Sequence, residues 1–113
     1  MTANKTEKQV VELLKTMQEG VNHLGKKLSQ GEVESKLYLF TDLMEAFAAV
    51  ENILTTDGKV DIVKEEIEEL RRCFDVITTS YENGNYGDVR SYFVFSFQKA
   101  FDEWFKQVMR EYN

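Results

Sequence analysis

Three places in the sequence carry side chains that could do chemistry. Glu19 and His23 stand four residues apart, one helical turn, where a carboxylate and an imidazole can share a proton or a metal ion. Cys73 lies beside Phe74, between Arg72 and Asp75, where a neighbouring cation could favour a nucleophilic thiolate. The run "DGKVD", residues 57–61, looks like the middle of a calcium loop. None of the three is complete. A di-iron bundle takes two Glu-x-x-His motifs and two more glutamates, whereas Glu-x-x-x-His occurs here once, with the only histidine. The only cysteine has no resolving thiol and no second histidine to activate it. Gly58 at the invariant sixth position of an EF-hand would put Ile53 and Lys64 where oxygen ligands are obligatory. No P-loop, Gly-x-Ser-x-Gly or dinucleotide motif is present. The expectation is a surface His23, a partly buried and inert Cys73, and a turn at 57–61 with Asp61 capping the next helix. No catalytic, metal or cofactor residue and no small-molecule substrate is assigned. An enzyme or metal protein built on Glu19, His23 and buried carboxylates is the remoter alternative.

Composition narrows the class. The 113 residues are 42% hydrophobic and 30% charged, in the range of one folded domain spanning 1–113. A single cysteine allows no internal disulfide, no run of about 18 apolar residues offers a membrane span, and "MTANKTEKQVVELL" lacks a signal-peptide core. A cytoplasmic protein is expected. The net charge is −6; residues 1–30 carry five Lys against three Glu, a net +2 that leaves −8 for 31–113. That excess repels phosphate backbones, and the short Lys26-Lys27 and Arg71-Arg72 clusters form no basic stripe, so nucleic-acid binding is not expected.

Four segments must position whatever the protein uses. Glycines at "SQGE" (29–32), "TTDGK" (55–59) and "ENGNYGD" (82–88) separate them, and proline is absent. Thr6 and Gln9 make a capping box ahead of Val10, Leu14, Met17, Val21, Leu24 and Leu28. The second stripe runs Val33, Leu37, Phe40, Met44, Phe47, Val50 and Leu54, and the third Val63, Ile67, Leu70, Phe74, Ile77 and Tyr81. The fourth holds "YFVFSF", whose composition favours a strand, yet Val89, Phe93, Phe97, Ala100, Trp104 and Val108 keep a helical period. Asp88 is its candidate N-cap. Helices are expected near 6–29, 33–55, 61–82 and 88–111.

An internal repeat supports the helical choice. A shift of 53 lays Val10, Leu14, Met17, Val21, Leu24, Leu28 and Gly31 on Val63, Ile67, Leu70, Phe74, Ile77, Tyr81 and Gly84. One extra residue in the turn, a shift of 54, then lays Tyr38, Ala46, Phe47 and Val50 on Tyr92, Ala100, Phe101 and Trp104. The expected fold is all-α, an antiparallel four-helix bundle of two tandem helical hairpins, about 6–55 and 61–112. Ten of the fourteen aromatic residues lie in 81–113, so the fourth helix is either covered on a second side by a partner or is a wide helix buried centrally in the bundle, and the partner is the preferred reading. Tyr86, Phe95, Phe105 and Tyr112 are the surplus and the candidate interface, with a homodimer or another protein as partner. Gly20 and Gly25, inside the first helix, point to close helix contact or a partner's side chain.

"ENGNY" at 82–86, followed by Trp104 in "DEW", resembles the signature of a family of small, uncharacterised bacterial helical proteins. In that family an Asn-Gly-Asp-Tyr turn leads into a helix ending Glu-Glu-Trp. Asn83, Gly84, Tyr86 and Trp104 fit; Asn85 departs from the family's Asp, and Val89–Gln98 is aromatic where the family is leucine-rich and acidic. The resemblance implies no activity and transfers no functional residue. A weaker, fold-level likeness is to flagellar export chaperones, which are small, acidic and all-helical. The lack of clustered catalytic groups and the surplus of aromatic residues point to a non-enzymatic interaction module that self-associates through its aromatic fourth helix. The alternative is a secretion or flagellar-type chaperone that holds a partner helix.

Overall fold

Val10, Leu14, Met17, Val21, Leu24 and Leu28 recur at steps of four and three, and they form the buried face of α1 (Lys5–Ser29) in the computed structural model, which describes residues 5–112. Every regular element is helical, with no strand among the described residues. α1 is followed by the single turn α2 (Val33–Lys36) and by α3 (Tyr38–Thr56). Leu37 between them keeps a right-handed helical backbone, so the chain bends there without reversing. A 3₁₀ turn, Val60–Val63, leads into α4 (Lys64–Glu82). The last stretch runs without a gap through α5 (Tyr86–Tyr92), a π-helical turn (Phe93–Phe97) and α6 (Gln98–Tyr112).

The three reversals share one cause. Gly31, Gly58 and Gly84 have φ of 85°, 70° and 74°, and each is followed by an amide that reaches back five residues. Those bonds are Glu32 to Lys27, Lys59 to Leu54 and Asn85 to Ser80, at 3.1, 2.8 and 2.9 Å. This is the Schellman closure, and the left-handed residue it needs is almost always glycine. The expected N-caps are not used. Thr6 already lies inside α1, Asp61 sits within the 3₁₀ turn, and Asp88 lies in the first turn of α5. Carboxylates at the last two positions still suit the positive end of a helix.

α1 packs on α3, α4 packs on α5 and α6, and α1 closes against α6. Rings fill the middle. Phe74 of α4 stands 5.0 Å from Phe40 and 5.3 Å from Phe47 of α3, and Phe47 stands 5.2 Å from Trp104. Leu14, Val21, Phe40, Phe47, Leu70, Phe74, Phe97 and Trp104 are all buried. The second stripe needs one correction: Leu43 is buried and Met44 is exposed. Both positions satisfy the spacing from Phe40 to Phe47, and packing against Gly20 selects Leu43. A Cβ at Gly20 would lie 3.3 Å from Leu43 Cδ2.

The π turn explains the change of shift in the internal repeat. In the first half, buried Phe40, Leu43 and Phe47 are three and four residues apart; in the second, Phe93, Phe97 and Phe101 are four and four apart. An α-helix of 3.6 residues per turn would rotate successive steps of four away from the core. An i→i+5 turn takes up the extra residue and keeps all three rings buried. The additional residue therefore sits in Phe93–Phe97 and not in the turn before it, and Tyr38 does not correspond to Tyr92. Gly25 serves this irregularity. A Cβ there would collide with the Gln98 amide and come within 3.4 Å of the Phe93 ring.

Candidate functional site

The four aromatic residues singled out as surplus part company in the fold. Tyr112 is buried, at 6% exposure, and is not an interface residue. Its hydroxyl donates to Asp57 Oδ2 at 2.6 Å, and Lys59 Nζ lies 4.3 Å over its ring while bonding the Glu111 carbonyl at 2.9 Å. Phe105 is half-buried, its ring 5.9 Å from Phe101. Tyr86 is half-buried, 5.5 Å from Tyr81. Phe95 alone of the four stands out, with 78% of its surface exposed.

Phe95 occupies the centre of the π turn, half a turn away from buried Phe93 and Phe97. Hollows flank it on both sides. Towards α4, one of about 520 Å³ is lined by Glu65, Glu66, Glu69, Lys99 and Glu103, and one of about 400 Å³ by Val76, Asp88, Ser91 and Tyr92. Towards the end of α1, a third of about 310 Å³ is lined by Ser29, Arg90, Ser91 and Val94. A bare phenyl ring between grooves can seat against another surface, and π turns are frequent at functional sites. The surrounding charge is mixed and predominantly acidic. Glu69 is ion-paired with Arg72 on α4, while Glu65, Glu66 and Glu103 make no ion pair among the described residues.

Residues 5–107 match the family model of a domain of unknown function, DUF8042. The chain belongs to that family. The match spans all the elements up to the penultimate turn of α6 and includes Phe95. No curated protein and no solved structure gives a match.

In this DUF8042 domain the chemical candidates stay apart. His23 and Glu19 are exposed on α1, and His23 borders a 220 Å³ hollow with Gly20, Leu39 and Asp42. Among the described residues no group of three His, Cys, Asp or Glu side chains could hold a metal ion. Cys73 is fully buried, not partly, and Tyr92 donates its hydroxyl to Sγ at 3.7 Å. Burial pushes the Cys73 thiol above its ordinary value, and Glu69 adds to the rise; the Tyr92 bond and Arg72 pull the other way and are outweighed. A protonated, enclosed thiol is a poor nucleophile. Asp57 accepts the Tyr112 bond and Lys59 covers the same ring, so the "DGK" turn works as a clamp on the end of α6. Nothing in local sequence pointed to that clamp, since its partners are 55 residues apart. Exposed Tyr38 and Ile62 were also missed as surface features. Among the described residues no helix is long and apolar enough to cross a membrane.

Proposed function

We propose that this domain is a non-enzymatic protein-interaction module that self-associates through the outer face of its last helix. In this reading α2–α3 and α5–α6 each act as one rod, so that the six α-helices make an antiparallel four-helix bundle of two tandem hairpins. Phe95 carries the proposal. Among the described residues it is the most exposed of the large apolar side chains, on the helix that already holds most of the aromatic residues, with a groove on either side. A phenyl ring left in water gains by burial against a partner, and a helix face offers a self-complementary surface for a two-fold contact. Dilution of the ¹⁵N-labelled protein provides the test. Amide signals of residues 91–99 should move with concentration while those of α1 stay fixed; fixed signals at 91–99 would count against the proposal.

A second reading, a chaperone that holds a partner helix, has one observation of its own. A hollow of about 310 Å³ opens between α3 and α4, lined by Leu37, Tyr38, Met44 and Tyr81, with Tyr38 63% exposed. Helix-in-groove recognition uses seams of this kind. Tyr38→Glu would abolish capture of such a helix and leave self-association through Phe95 untouched.

A further inference from the structure

The exposed crest of the last helix has a symmetry of position that its chemistry turns into complementarity. Asp88, Ser91, Phe95, Lys99, Glu103 and Lys106 are all exposed and follow one another at steps of three and four, so they share one face. Counted from the level of residue 97, they lie nine, six and two residues before it and two, six and nine after it. We infer that a second copy of this chain docks antiparallel on this crest, with the two-fold axis at the level of residue 97. The inference rests on the self-association proposed above and adds its register.

An antiparallel two-fold brings each position onto its mirror image. Asp88 then faces Lys106 of the second copy, an ion pair. Ser91 faces Glu103, a hydroxyl that can donate to a carboxylate. Phe95 faces Lys99, whose methylene stem covers the ring and whose ammonium lies near its face. Each contact occurs twice. Other registers lose this match. An antiparallel pairing centred on Phe95 sets ring on ring and Ser91 against Lys99 but leaves Lys106 opposite Gly84, without a charge partner, and a parallel in-register pairing sets every charge on its own kind. Like charges brought together select against the parallel arrangement, and the lost ion pair against the other. Opposing the inferred register, Glu65 and Glu66 of α4 border the Lys99–Glu103 stretch, so the incoming Asp88 meets acid as well as Lys106. Lys106 is consequently the residue on which the pairing depends most. With one aromatic anchor per copy, the dimer belongs to the weak class of interfaces.

Charge exchange tests the register in the full chain. Sedimentation velocity up to about 100 μM should show wild type moving from its 13.2 kDa monomer towards twice that mass. Asp88→Lys and Lys106→Asp should each weaken the dimer at least about tenfold, and the double variant should return it to within about threefold of wild type. Circular dichroism of all three should match wild type, since both positions are exposed. A wild-type dimer indifferent to the single exchanges, or not restored by the double, would overturn this register and leave self-association standing. A wild type monomeric throughout that range would overturn both.

Discussion

The hydroxyl of Tyr112 donates a 2.6 Å hydrogen bond to Asp57 Oδ2, tying the last turn of α6 to the turn that ends α3. Burial, and then this bond, raise the phenol above its ordinary range; burial likewise raises Tyr92, to about 12. Below pH 10 both phenols are protonated in the folded and the unfolded chain, so their contribution to stability is complete. Between about 10 and 12 the unfolded chain releases protons that the folded chain keeps, and stability falls as pH rises. Urea midpoints should therefore hold steady up to pH 9 and decline above 10. Tyr112→Phe should cost about 0.5–1.5 kcal/mol at neutral pH and make the alkaline decline shallower. An equally steep decline in the variant would show that folding does not raise the Tyr112 phenol above its unfolded value.

Gly25 and Gln98 should be energetically coupled. Gly25→Ala gains about 1 kcal/mol of helix propensity but drives the new methyl into the Gln98 amide beside the π turn. Gln98→Ala removes the obstacle. Chemical denaturation of the two single variants and the double should give a coupling of about 0.5–1 kcal/mol favouring the double. Simple additivity would mean that Gln98 swings aside at no cost.

Cys73 should report on opening of the α4–α5 packing. Enclosed, protonated and bonded by Tyr92, it should react with a disulfide reagent at pH 8 at least about a hundredfold more slowly folded than in urea. Folded protein that reacts as fast as unfolded protein would mean the thiol is accessible.

Much of this architecture is written in the spacing of apolar residues. Stripes three and four residues apart placed all the long helices, and three glycines marked the reversals their positive φ requires. Spacing could not choose between Leu43 and Met44, because both complete the turn from Phe40 to Phe47; the neighbour Gly20 decides. The π turn was hidden for a related reason. Steps of four from Val89 to Phe101 fit an α-helix locally and drift from the core only when the whole run is followed. At the candidate site, the outward direction of Phe95 follows from its place half a turn from Phe93 and Phe97. Tyr112 could not be placed that way. An amphipathic phenol at a chain end suits an interface or a buried clamp, and its partners come from a distant turn.

The most direct test of the proposed function is the solution mass of wild type and Phe95→Glu, by light scattering across a dilution series reaching about 100 μM. The substituted side chain lies in solvent, so folding should survive, with helix content and melting temperature within about 3 °C of wild type. The wild-type mass should climb with concentration towards a dimer while the variant stays at 13.2 kDa. Wild type and variant with the same mass at every concentration would contradict a docking role for Phe95.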